Sequence, residues 1–329
     1  MSNDKILEVK DLKVYFDIKR SFAEDMFSKK KKQVKAVDGV SFDIKKGEIL
    51  ALVGESGSGK TTTGKAILQL VKMTEGTIKF NDTLVDSTNK DYMRDFRQKA
   101  QMIFQDPYQS INPRDIVMDI VAEPLEVNNL VKTQNERTTR IEDALVNAGL
   151  TPTDDYIYRY PHELSGGQRQ RVVIASSMIM NPSFVVADEP VSMLDASIRT
   201  GILKLMLNLR DKKGISYLFI THDLSLAWLI SDRIAIMYLG KIMEIGKSDD
   251  LIKRGVHPYT KALMEIMPKR AYTKGKKREV LPGETPNPID DIQGCKFCSR
   301  CPMVSEICRK DCPELREIGA EHFVACHNV

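Results

Sequence analysis

Residues 6–16, ILEVKDLKVYF, combine apolar and β-branched positions and predict a strand. Residues 37–53 predict two more strands around a turn at Lys46-Gly47. The second of these, EILALVG, is short, continuous and apolar, the pattern of a buried parallel strand. A glycine-rich turn follows, and then a helical pattern, TTGKAILQLVKM. From Asp106 to Pro161 the pattern changes to amphipathic helix, as in NERTTRIEDALVNAGL, and predicts a mostly helical insertion. Apolar strands return at SFVVADEP and ISYLFITHD, and residues 232–247 predict short closing strands. Apolar strands alternating with helices indicate a parallel sheet covered on both faces. Beyond about residue 265 the chain turns basic and rich in Pro and Gly (KRAYTKGKKREVLPGETPNP), the composition of a linker.

Composition narrows this picture without changing it. The chain has 329 residues, 42% hydrophobic and 29% charged, an ordinary globular balance. At about 150 residues per domain this length suggests two domains. The net charge of +4 does not point to nucleic acid. No apolar run reaches the roughly 18 residues needed to span a membrane. The charged start, MSNDKILEVK, has no signal-peptide core, which predicts a cytosolic chain. Lys29 to Lys32 form a basic run, read either as a solvated loop or as a contact for anionic lipid head groups. All six cysteines lie between Cys295 and Cys326. A reducing compartment disfavours disulfides, so a metal site is the first expectation for them.

Gly54, Glu55, Ser56, Gly57, Ser58, Gly59, Lys60 and Thr61 fit the GxxxxGK[ST] pattern, between a buried strand and a helix that continues through Thr62. Glycines let backbone N–H groups curl around a phosphate, and the helix points its positive end at the same anion. Lys60 is expected to neutralise β- and γ-phosphate charge, and the Thr61 hydroxyl to bind Mg²⁺. Far downstream the apolar strand FVVAD ends in two acids, Asp188 and Glu189. Two adjacent carboxylates favour a bound cation, which assigns Mg²⁺ to Asp188. Glu189 is placed to polarise an attacking water as general base.

Leu164-Ser165-Gly166-Gly167-Gln168 resembles the signature motif of ABC-type ATPases. That resemblance implies an α/β fold: an ABC-type P-loop nucleotide-binding domain with a RecA-like core, an antiparallel β subdomain and a helical insertion, plus a small Cys-rich C-terminal extension. It implies an ABC ATPase domain over residues 6–265, with the insertion at about 106–180, and a linker and Cys-rich region over 266–329. It also implies that ATP is sandwiched between the phosphate loop of one subunit and the signature nest of another. The remaining motifs occur in the family's order. Gln105 in FQDP resembles the Q-loop glutamine, which senses Mg²⁺ or water. Ser192-Met193-Leu194-Asp195 resembles the D-loop, and His222 in ITHD the switch histidine on the γ-phosphate. Phe16 falls where the family stacks an aromatic on adenine, with Tyr15 as the alternative.

The segments FQDPYQSINPR, YPHELSGGQRQR, DEPVSMLDASI and HPYTKALMEIMP, with the cysteine tail, resemble the F-type ATP-binding subunits of oligopeptide and dipeptide importers. This implies a peripheral subunit on the cytoplasmic face of the membrane. Its partners would be a second ABC ATPase, two transmembrane permeases and, indirectly, an extracellular substrate-binding protein. Importers of oligosaccharides or nickel remain an alternative, and a soluble ABC ATPase on ribosomes or DNA a distant one. The tail resembles one that in some members holds a [4Fe-4S] cluster on Cys295, Cys301, Cys308 and Cys326. Cys298 and Cys312 depart from that pattern, and zinc or free buried thiols are the alternatives. The expected role is to staple a tail too small to build its own core.

Overall fold

The computed structural model describes residues 4–18, 33–267 and 292–329, together with 283, 286 and 289. The basic run Lys29–Lys32 and most of the linker lie outside these residues. Along the chain the strands and helices are β1 (Lys5–Asp17), β2 (Gln33–Lys45), β3 (Ile49–Val53), α1 (Lys60–Ile67), β4 (Glu75–Phe80) and β5 (Thr83–Leu84). Then come α2 (Lys90–Lys99), β6 (Ala100–Ile103), α3 (Val117–Val127), α4 (Gln134–Asn147), α5 (Gly166–Met178), β7 (Phe184–Asp188), α6 (Ala196–Lys213) and β8 (Ser216–Thr221). The chain continues through α7 (Leu224–Ile230), β9 (Arg233–Tyr238), β10 (Lys241–Lys247), α8 (Ser248–Arg254) and α9 (Pro258–Ile266). It closes with α10 (Glu306–Lys310), β11 (Arg316–Gly319) and β12 (His322–Val324).

The chain forms two compact units. The first comprises Met1–Ile6, Ile44–Ile49 and Val85–Phe219. Here β6, β7 and β8 lie side by side in that order. β6 and β7 are parallel, with Ala100 opposite Phe184 and Ile103 opposite Ala187. Every residue of β7 and β8 is buried, which explains why both read as unbroken apolar runs. The predicted insertion is helical: α3, α4 and α5 pack on one another, and α5 also lies against β6. Ile120, Val121, Leu125, Ile141, Leu145, Val172 and Ile174 supply the apolar faces.

The second unit comprises Leu7–Asp43, Leu50–Leu84 and Ile220–Val329. One sheet has the order β2-β1-β4-β5, with β1 antiparallel to β4. Leu7, Val9 and Val14 of β1 and Ile78 and Phe80 of β4 fill its inner face. In the other sheet β3 runs parallel to β9, pairing Leu50 with Arg233 and Val53 with Ile236. β9 returns antiparallel as β10, and the predicted closing strands are this hairpin. β12 then adds antiparallel to β10, and β11 to β12.

α1 is shorter than its sequence pattern. It stops at Ile67 because Gln69 adopts a left-handed backbone, φ 57°, and the Leu70 N–H turns back to the Lys65 carbonyl. The tail does not stand alone. It packs on β9 and the start of α9, with Phe297 wholly buried against Tyr238, Tyr259 and His257 at centroid distances of 5.3, 5.3 and 5.8 Å. Among the described residues no helix is long and apolar enough to cross a membrane.

Candidate functional site

In the second unit, the buried β3 delivers the chain into the glycine loop. Gly54 lies so close to β9 that a Cβ there would stand 2.1 Å from the Met237 carbonyl oxygen. Gly59 caps α1 with φ 101°, and a Cβ there would stand 2.1 Å from the Ala36 carbonyl oxygen. The Gly240 N–H donates to the Ser58 carbonyl at 2.9 Å, tying the loop to the β9–β10 turn. Ser56 and Gly57 are exposed at its crest, and Thr61 and Thr62 are half-buried in the first turn of α1. No acidic residue stands in that turn to offset its positive end.

Lys60 is only 5% exposed. Its ammonium donates to the Gly54 and Glu55 carbonyl oxygens, both at 2.8 Å, and to Ser58 Oγ at 3.3 Å. The cation sits inside the loop, held by acceptors that phosphate oxygens can replace.

His222, also in this unit, is exposed at the end of β8. Its neighbours are committed to the start of α7: Asp223 Oδ1 accepts from the Ser225 N–H at 2.8 Å and the Leu226 N–H at 3.3 Å. Between the two candidate aromatics on β1, Phe16 exposes its ring (44%). Tyr15 is instead engaged, donating its hydroxyl to Asp38 Oδ1 at 2.6 Å. Burial, joined by that carboxylate, pushes the Tyr15 phenol well above its ordinary range.

In the first unit, Asp188 ends β7 and is 3% exposed. Glu189 follows with φ 44°, a left-handed conformation unusual for a side chain of its size. The next turn holds it there: the Ser192 N–H and hydroxyl both donate to the Glu189 carbonyl, at 3.2 and 3.0 Å. Gln105 Nε2 donates to Glu189 Oε2 at 3.1 Å.

Ser165 caps α5 with a reciprocal capping box. Its hydroxyl accepts from the Gln168 N–H at 3.3 Å, and Gln168 Oε1 accepts from the Ser165 N–H at 2.8 Å. Gly166 and Gly167 form the first turn, which carries no acid. A Cβ on Gly167 would stand 2.6 Å from Ile198 Cγ2 of α6. Arg169 braces the approach to this turn, donating to the Pro161 and Leu164 carbonyls while its guanidinium lies 4.1 Å from the centre of the Tyr108 ring. Asp195 is the N-cap residue of α6 and is exposed. Arg199 secures the turn before it through the Leu194 carbonyl, at 2.6 Å.

The cysteine tail departs from expectation. No disulfide joins the six thiols. Among the described residues no three His, Cys, Asp or Glu side chains converge on a metal position, so the expected iron–sulfur set of Cys295, Cys301, Cys308 and Cys326 is not assembled, nor is a zinc site. The thiols lie near enough to influence one another electrostatically, and some have hydrogen-bond partners of their own. Cys308 Sγ meets Ser305 Oγ at 3.2 Å and Asn328 Nδ2 at 3.6 Å, and Cys301 Sγ accepts from the Met303 N–H at 3.4 Å. Burial pushes the Cys295 thiol up to about 12 and raises that of Cys301, both of which favour protonated sulfur.

Sequence reasoning missed three side chains around the phosphate loop. The Glu55 N–H donates to Tyr259 Oη at 3.1 Å, Arg300 Nη1 lies 2.9 Å from Glu55 Oε2, and Lys296 Nζ lies 3.4 Å from Asp38 Oδ2. The buried HPYT and CKFCSR segments carry them, and no local pattern in either points to the loop.

The chain matches the ABC transporter family over residues 37–192 and the oligopeptide/dipeptide transporter C-terminal region over residues 243–308. It is 44% identical over 330 residues to the oligopeptide transport ATP-binding protein AppF of Bacillus subtilis (strain 168), covering 99% of this chain and 98% of that protein. It is 42% identical over 326 residues to the oligopeptide transport ATP-binding protein OppF of the same organism, covering 98% of this chain and 96% of that protein. Its fold is similar to that of cbiO1 from Clostridium perfringens, part of the ABC transporter complex cbiONQ, with 25% identity, a TM-score of 0.64, and 77% of this chain and 92% of that chain covered. It is likewise similar to the ATP-binding cassette MJ0796 in a dimeric post-hydrolysis state bound to ADP and Pi, with 27% identity, a TM-score of 0.64, and coverage of 74% and 98%. With its glycine loop, capped signature turn and paired acids, the chain belongs to the ABC transporter family, in the group that carries the oligopeptide/dipeptide transporter C-terminal region.

Proposed function

We propose that this chain is the ATP-binding and ATP-hydrolysing subunit of an importer for oligopeptides or dipeptides. The buried Lys60 ammonium, held by the carbonyls of its own glycine loop, is the observation that carries this reading. In this reading Lys60 and the N–H groups of Gly54 to Thr62 take the β- and γ-phosphates, and Phe16 stacks on adenine. Thr61 and Asp188 supply hard oxygen donors of the kind Mg²⁺ prefers, and Gln105 takes the sensing role that the family's motif order gives it. Bound Mg²⁺ supplies charge neutralisation on the phosphates. Glu189 accepts the proton of the attacking water, and Gln105 orients its carboxylate. His222 contacts the γ-phosphate, and Asp195 lies at the subunit junction. Ser165, Gly166, Gly167 and Gln168 serve the nucleotide held by the opposite subunit.

Residues 6–265 make the ATPase domain in this account, with its helical insertion at about 106–180, and residues 266–329 the linker and C-terminal region. The names of the relatives favour peptides over oligosaccharides or nickel as cargo. The chain then works at the cytoplasmic face of the membrane with a second ABC ATPase and two permeases, fed by an extracellular binding protein. Purification of the tagged chain from its own membranes in mild detergent tests this. Two multi-span permeases and a second ABC ATPase are expected to co-elute. Ribosomal or DNA-repair partners without a permease would overturn the transport reading.

A further inference from the structure

Glu55 is an anomaly in its own loop. It adds a carboxylate to a loop read as a polyphosphate cradle, and a negative charge there opposes that of the ligand. The tail answers that charge. Arg300, 8% exposed, sets Nη1 2.9 Å from Glu55 Oε2 and 3.4 Å from Tyr238 Oη. Glu55 is also the joint through which the loop is held. Its N–H donates to Tyr259 Oη at 3.1 Å, and its carbonyl accepts from Lys60 Nζ at 2.8 Å. The connection from Arg300 to the phosphate-binding ammonium therefore passes through one residue.

The turn that carries Arg300 is rigidly seated. Phe297 is wholly buried, with Tyr238 and Tyr259 each 5.3 Å away between centroids. At the other end of the same turn, Lys296 Nζ stands 3.4 Å from Asp38 Oδ2, and Asp38 Oδ1 accepts the hydroxyl of Tyr15, the neighbour of Phe16. One short turn of the tail thus touches the phosphate loop directly and, through Asp38 of β2, reaches the strand that bears Phe16.

We infer that Arg300 is a positioning residue for the nucleotide site of its own chain: it neutralises and anchors Glu55, so the C-terminal region sets the phosphate affinity of the loop. This rests on the reading of Gly54–Thr61 as the nucleotide cradle. It gives the tail a role in the ATPase that requires no metal on its cysteines.

Titration of the full chain with Mg-ADP, which is not consumed, tests the inference. Arg300→Ala takes away the positive charge beside Glu55, and its affinity is expected to fall about tenfold or more. Adding Glu55→Gln removes the carboxylate as well, and the double variant is expected to return to within about threefold of the original chain. A merely structural role for Arg300 would leave the double variant at least as weak as the single one. Arg300→Gln carries the same comparison should thermal unfolding show that Arg300→Ala is not folded. An Arg300 variant within about twofold of the original affinity, or a loss that Glu55→Gln does not relieve, would overturn the inference. Lys60→Ala in the same titration separates the two levels. Unchanged affinity there overturns the nucleotide-site reading itself, whereas loss there without loss in the Arg300 variants overturns the inference alone.

Discussion

Gln105 Nε2 donates to Glu189 Oε2 at 3.1 Å, and the register of two parallel strands brings them together. Ile103 lies opposite Ala187, and each chain runs two residues further to reach the pair. Residues 84 positions apart in sequence thus meet at one end of the sheet. The amide holds the carboxylate in a defined orientation. Gln105→Ala is expected to lower ATP turnover about tenfold with little change in nucleotide affinity, because orientation is lost and binding is not. Steady-state kinetics separate kcat from KM. A change confined to KM would speak against the orienting role.

The close approach of Gly54 to Met237 makes a structural prediction. Gly54→Ala drives a methyl group to 2.1 Å from a backbone oxygen that cannot swing aside. The expected cost is about 2 kcal/mol or more, visible as a Tm lowered by several degrees, together with a displaced loop and weaker nucleotide binding. An unchanged Tm would show that β9 yields to the loop.

Phe16 and Tyr15 are neighbours with different duties. Stacking of a base on an aromatic ring contributes about 1–3 kcal/mol, so Phe16→Ala is expected to weaken ATP binding by about five- to a hundredfold. Tyr15→Phe removes only the hydrogen bond to Asp38 and is expected to act first on stability, by about 1 kcal/mol. The opposite ranking in a binding titration would move the stacking role to Tyr15.

Acid should destabilise the second unit through His257. Burial lowers the pKa of this imidazole from its ordinary 6.5 to about 4, with a hydrogen bond to the Ala325 backbone acting the other way. The unfolded chain therefore takes up a proton below about pH 6.5 that the folded chain refuses until about pH 4. Stability is full above this window and falls as the pH drops through it, by about 3 kcal/mol at most. His257 Nδ1 also accepts the Tyr259 N–H at the start of α9. His257→Asn keeps a capping acceptor and removes the titration, so the fall in Tm between pH 7 and pH 4.5 should be shallower. An identical fall in both proteins would assign the acid sensitivity elsewhere.

The parts of this molecule readable in the sequence are those in which a local pattern has a local cause. β3, β7 and β8 are buried throughout and read as apolar runs. The glycine loop and the capped signature turn depend on residues adjacent in the chain. β11 was hidden because all four of its residues are exposed, and β5 because it is two residues long. The end of α1 was misread because Gln69 makes the left-handed turn with no Gly or Pro to mark it. The bond from Arg300 to Glu55 spans 245 positions, and no periodicity reports such a contact. For the cysteines the spacing is visible, but spacing does not say where sulfur atoms point.

ATP hydrolysis by the purified chain, with and without Glu189→Gln, bears on the whole account more directly than any other measurement. General-base catalysis contributes about 10²- to 10⁴-fold, so phosphate release by Glu189→Gln is expected to fall below about one-hundredth of the original rate. ATP binding should persist, because Lys60 and the glycine loop are untouched. Turnover by Glu189→Gln within a few-fold of the original chain would contradict the assignment of the base, and with it the catalytic site described for this protein.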